Sequence, residues 1–134
     1  MRMLSLILIG IVAFEHLYFM YLEMFVWTTK KTRRVFGTTE EFAEASKSLA
    51  ANQGLYNGFL AAGLIWSLVQ SFGEWALIGN VIPPVPVFAF QLKIVFLACV
   101  IVAAIYGALS VKRSILFVQG VPAMLALAAT LMVG

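Results

Sequence analysis

The sequence predicts an all-α fold: an integral membrane bundle of four transmembrane helices with both termini outside. Three observations predict it. Of the 134 residues, 63% are hydrophobic and only 11% charged, with a mean hydropathy of +0.99, whereas a soluble domain carries about a quarter charged residues. The apolar residues gather into four stretches, about 3–27, 49–72, 87–109 and 115–133, each near the ~20 residues that cross ~30 Å of hydrocarbon. Finally, the basic residues are unevenly distributed. Lys30, Lys31, Arg33, Arg34 and Lys47 lie in or beside the first connection and Lys112 and Arg113 in the third, against Arg2 and Lys93 on the other side. Basic residues are retained in the cytoplasm, so the first and third connections are expected there. The chain is read as one transmembrane domain, 1–134, with a cytoplasmic loop at 28–48, in a bacterial cytoplasmic (inner) membrane.

The same numbers exclude several functions. A net charge of +3 is small and localised, which suits a lipid surface and gives no reason to expect nucleic acid. Membrane lipids are the expected partners. One histidine and one cysteine, Cys99, rule out a zinc or haem site built from several such ligands. No phosphate-binding glycine loop, dinucleotide fingerprint or Ser-His-Asp arrangement is present. The segment after Met1-Arg2 has the beginnings of a signal peptide, but no small-residue cleavage pattern follows and the apolar run continues to Trp27, so it is read as retained.

Taken in order, the first span places Val12, Glu15, His16, Phe19, Glu23 and Val26 within an arc of about 100°. Both acids and the imidazole are thus expected to look inward. Ionisable groups at this depth usually face a cavity or a partner. Glu15 is expected to be protonated, or hydrogen-bonded to water or to His16 of a neighbouring copy. In the loop, Lys30 to Arg34 should lie among headgroups. Thr38-Thr39-Glu40-Glu41 reads as a helix start capped by Thr38 and boxed by Glu41, continuing as one helix into the second span.

The second span opens with Asn52, Gln53, Tyr56 and Asn57, assigned to one side of the helix, with Gly54, Gly58, Ala61 and Ala62 roughly opposite. One side offers hydrogen bonds and the other close backbone approach. Glu74 and Trp75 mark the outer interface, and Val81 to Pro86 form a proline-bound connector, with Pro86 able to enter the first turn of the third span. In the last span Pro122 should kink the helix and free the carbonyl of Val118. With this topology Glu23, Asn52, Gln53, Tyr56, Asn57, Tyr106 and Gln119 fall at one level in the inner leaflet, with Glu15 and His16 near the midplane.

These residues also carry a resemblance. Glu23-Met24-Phe25-Val26-Trp27, then Asn52-Gln53-Gly54-Leu55-Tyr56-Asn57-Gly58-Phe59-Leu60-Ala61-Ala62-Gly63-Leu64, Tyr106-Gly107-Ala108 and Gln119-Gly120-Val121-Pro122-Ala123 resemble a family of small bacterial four-helix membrane proteins of unknown function. The resemblance covers nearly the whole chain and implies the fold and the membrane location, but no activity. Two looser likenesses bear on function. The topology and the polar start of the second helix look like the membrane-associated eicosanoid and glutathione metabolism enzymes, although Leu49 and Leu55 stand where charged residues would be expected. The membrane-embedded acid of the first helix is similar to that of small multidrug transporters, whose charge bias is weaker and first loop shorter.

The expectation is a homo-oligomer that binds or moves a small amphipathic molecule or a proton through an inner-leaflet polar pocket. Its ligand-binding residues are Glu15, His16, Glu23, Asn52, Gln53, Tyr56, Asn57, Tyr106 and Gln119, with no metal and no assigned cofactor. The alternatives are a membrane-embedded enzyme acting on a lipophilic substrate and a structural partner in a membrane complex. The bland reading of each group, as glue between helices or interfacial anchor, remains open beside these.

Overall fold

The computed structural model describes residues 2–77 and 87–133, with the side chains of 73–77 left aside. The expected connector at 81–86, Pro86, and the interface roles of Glu74 and Trp75 lie outside the described residues. Every regular element among the described residues is helical: α1 (Arg2–Phe25), α2 (Lys30–Phe36), α3 (Glu40–Ala45), α4 (Lys47–Leu77), α5 (Val87–Ser110) and a last helix α6, whose first turn, Leu116–Gly120, is a π-helix that runs directly into Val121–Leu131. The four long helices form a ring. α1 packs on α4 and α6, and α5 on α4 and α6, with the α1–α4 pairing the most extensive.

A stripe with the helical period builds the α1 side of the interior: Ser5, Ile9, Val12, Ala13, His16 and Glu23 are all buried. Ile9, Val12, Leu64, Leu97, Val100, Ala123 and Ala126 have no exposed surface and, with Ala13, form the core. Toward the chain ends the ring is tied by Ser5 and Thr130, whose hydroxyls lie 2.8 Å apart. The bundle is therefore filled along its axis by aliphatic side chains between two polar layers.

Of the four expected spans, only α1 and α5 are long and apolar enough by length and composition to cross a membrane. α4 is long enough at 31 residues, about 46 Å, but its own Asn52, Gln53, Tyr56, Asn57, Ser67, Gln70 and Ser71 dilute its hydropathy. The last helix is apolar but short, over Leu116–Leu131.

Between α1 and α4 the structure departs from expectation in three ways. The basic run is a helix in its own right, capped by the Thr29 hydroxyl, which accepts from the Thr32 N–H, and closed by Gly37 at φ 70°, a left-handed conformation that glycine adopts without cost. The next helix is capped by Thr39, not Thr38, with Phe42 N–H as donor at 3.2 Å. Nor do α3 and α4 form one helix: the chain breaks at Ser46, whose φ of −100° and ψ of 5° leave the helical region. The Ser46 hydroxyl donates to Phe42 O at 2.7 Å and accepts the Trp27 indole N–H at 3.1 Å, which fixes the corner against the end of α1. Phe36 packs edge-on against Trp27 and Phe19.

Pro122 acts as its ring chemistry requires, but through a wider turn and not a simple break. The Val121 N–H reaches back five residues to Leu116 O, and Pro122 then takes one of the first positions of the following α-helix, where no N–H donor is called for.

Candidate functional site

The amide of Asn57 donates from Nδ2 to Oε2 of Glu23 at 2.7 Å, joining α4 to α1 in the half of the bundle nearest α2 and α3. Both residues are buried, at 9% and 8% exposure. The sequence explains how they meet. Gly54 lies one turn before Asn57 and Gly58 is the next residue after it, and both face α1. A Cβ at Gly54 would come within 2.7 Å of Met24 Cγ and 3.0 Å of Glu23 Cβ, and one at Gly58 within 2.8 Å of Met20 Sδ. The two glycines bring the backbones together, and the acid and amide bridge the gap.

This revises the helical wheel drawn from the sequence. Asn57 is buried beside Gly54 and Ala61, whereas Asn52, Gln53 and Tyr56 are exposed, Gln53 although it lies one turn below Asn57 on the same face. Tyr56, at 53%, and Tyr106 of α5, at 73%, are among the more exposed large side chains of the bundle. Gln119, in the π-turn, is half-buried. Among the described residues no hydrogen bond ties the side chains of Asn52, Gln53, Tyr56, Tyr106 or Gln119 to the rest of the chain. Of the expected cluster, then, the structure joins Glu23 and Asn57 and leaves Asn52, Gln53, Tyr56 and Tyr106 exposed.

His16 is 1% exposed. Its Nδ1 lies 2.9 Å from Val12 O, and because a carbonyl only accepts, Nδ1 carries the proton. Phe19 meets the imidazole edge-on. Glu15 sits at the border of the buried stripe, half-exposed, while its Oε2 is buried with no partner among the described residues. Gln119 stands near this level. From the Ser5–Thr130 contact, eleven residues along α1 and eleven back along α6 bring His16 opposite Gln119. Among the described residues no three His, Cys, Asp or Glu side chains gather as a metal site would need.

Sequence reasoning missed the contact between α4 and α5. The Phe96 ring lies directly on Gly63, in the space a Cβ there would fill, and Trp66 meets Phe88 with ring centroids 5.5 Å apart. Gly63 was the available signal: a glycine in mid-helix opposite a phenylalanine. These contacts set the antiparallel register of α4 and α5. Counted from Gly63 and Phe96, Asn52 comes level with Gly107, and counted from Trp66 and Phe88, with Val102, so Tyr56 and Tyr106 lie in the same half of the two neighbouring helices. Phe59 and Val102, at 56% and 66% exposure, lie beyond them. The surface over the α4–α5 seam is thus polar at its lower end and apolar above. The close approach expected at Gly54 and Gly58 is to α1 of the same chain, and Gly63 packs against α5.

Comparison with known proteins supplies the relatives. The profile of the family described as "Protein of unknown function (DUF1304)" matches residues 10–131. The chain is 37% identical over 129 residues to the uncharacterized protein YpaA of Lactococcus lactis subsp. lactis (strain IL1403), covering 95% of this chain and 96% of that protein. No solved structure matches it. The chain belongs to the DUF1304 family of proteins of unknown function.

Proposed function

We propose that this member of the DUF1304 family is a four-span protein of the bacterial cytoplasmic membrane, both termini outside, that binds a small amphipathic molecule from the inner leaflet on the lateral seam of α4 and α5. The observation that carries the reading is the exposure of Asn52, Gln53, Tyr56 and Tyr106: hydrogen-bonding side chains open to the surroundings at the α2–α3 end of α4 and α5, in a bundle whose exposed side chains are otherwise largely apolar. Amides facing acyl chains are costly unless a partner satisfies them, and a polar headgroup at this level is such a partner. The phenols add two rigid amphipathic walls, and Phe59 and Val102 continue the seam with the apolar surface a tail requires.

The sealed axis argues for the side of the bundle as the place of binding. Ile9, Val12, Leu64, Leu97 and Val100 have no exposed surface, so among the described residues aliphatic side chains fill the axis between the Ser5–Thr130 layer and His16. The bias of basic residues toward the connection at 28–48 and the turn near Lys112 supports the orientation.

Purification of the full chain in nanodiscs formed from native membrane, followed by mass spectrometry of retained molecules, tests the reading. The triple substitution Asn52→Ala, Gln53→Ala, Tyr56→Phe should lower the retained amphiphile about tenfold, as expected for losing two or three hydrogen bonds of about 0.5–1.5 kcal/mol each. Unchanged composition and amount in the variant would exclude the seam as the binding surface.

A further inference from the structure

On the reading that the α4–α5 seam is the binding surface, we infer that its ligand is an anionic phospholipid, whose phosphate is held by Lys47, Lys112 and Arg113. Chain direction puts them at one end of the antiparallel pair: Lys47 opens α4, and Lys112 lies two residues past Ser110, the end of α5. Arg113 follows. All three side chains are exposed, and none is paired with an acid among the described residues. Asn52, Gln53, Tyr56 and Tyr106 lie about one and a half to two and a half turns above them on the same pair of helices, and Phe59 and Val102 above those. From the hairpin end upward, the order is cation, amide and phenol, then hydrocarbon. That is the order of phosphate, glycerol-ester and acyl chain in a phospholipid.

The other basic cluster of the chain is built differently. Around Lys30, Lys31, Arg33 and Arg34 the neighbouring helix α3 supplies Glu40, Glu41 and Glu44, and Arg33 is paired with Glu40 at 3.0 Å. Lys112 and Arg113 have no such company along the chain: the last acidic residue of the sequence is Glu74, and neither is paired with an acid among the described residues. A basic pocket beside membrane helices on the cytoplasmic side attracts an anionic headgroup, and a guanidinium beside a lysine suits phosphate oxygens in particular.

The full chain in detergent is exposed to equimolar phosphatidylglycerol and phosphatidylcholine with matched tails, and native mass spectrometry counts the lipids retained. The wild-type chain should prefer phosphatidylglycerol about tenfold or more. Lys112→Gln with Arg113→Gln should bring the two lipids near parity while total retention persists. Lys30→Gln with Lys31→Gln should leave the preference in place, and circular dichroism confirms that these exposed substitutions keep the fold. Equal retention of both lipids by the wild type, or a preference that survives Lys112→Gln with Arg113→Gln, overturns the inference and leaves the seam reading standing. A retention that ignores Asn52→Ala and Tyr56→Phe overturns the seam reading itself, and the inference with it.

Discussion

Asn57 Nδ2 and Glu23 Oε2, 2.7 Å apart and both buried, form the polar joint between the two most closely packed helices of the protein. A buried group that loses its partner keeps its full desolvation cost. Asn57→Leu should therefore lower stability by about 1–3 kcal/mol, while Glu23→Gln, which keeps an oxygen to accept the amide, should cost less than about 1 kcal/mol. Unfolding of the detergent-solubilised chain by increasing denaturing surfactant, followed by circular dichroism, measures both. Equal losses in the two variants would show that the bond contributes nothing specific.

Close approach at this joint makes a second prediction. Gly54→Val puts a branched side chain where Met24 Cγ and Glu23 Cβ already stand, and overpacking of this kind costs about 1–3 kcal/mol. Gly10→Ala is the internal control. Nothing lies within 4 Å of a Cβ at Gly10, and it sits inside α1, where alanine is favoured over glycine by about 1 kcal/mol. Thermal melts should move in opposite directions for the two.

Glu15 offers a third. Its Oε2 is buried without a hydrogen bond, so Glu15→Gln removes no contact seen in the fold and should leave stability the same or higher. A loss comparable to that of Asn57→Leu would mean that the carboxyl holds a partner in the membrane.

Topology can be read chemically. In a Cys99→Ser background, a cysteine placed at Arg34 or at Arg113 should react with a membrane-impermeant maleimide only when the cytoplasmic face is opened, and one at Met3 from outside without opening. Labelling of all three positions from one side would remove the orientation and with it the inner-leaflet placement of the seam.

Much of this was legible in the sequence. The helices begin and end within a few residues of the apolar stretches, because a continuous apolar run leaves the backbone no alternative to internal hydrogen bonding. Glu23 and Asn57 were both picked out as membrane-depth polar groups. Their pairing was hidden by the wheel drawn for α4: Asn57 lies close to Gly54 and Ala61 in angle, and the grouping by polarity overrode the grouping by position. The break at Ser46 was also out of reach, because it depends on the Trp27 indole nineteen residues away, and no local signal in Glu44-Ala45-Ser46-Lys47 marks a corner. Asn52, Gln53 and Tyr56 were visible as polar, but not as outward-facing. Their exposure depends on how far α5 follows α4 below the Gly63–Phe96 contact, which no local pattern records.

The wide turn at Leu116–Gly120 holds one residue more than an ordinary helical turn would, and that surplus sets the phase of everything after it. Downstream, Ala123, Ala126, Ala129 and Thr130 are buried, while Phe117 and Val118 within the turn are exposed. Deleting a single residue from the turn would rotate Val121–Leu131 by about 100° relative to the chain before it and swing the alanines out from between α1 and α5. In this helix, then, chain length tolerates less change than side-chain identity does.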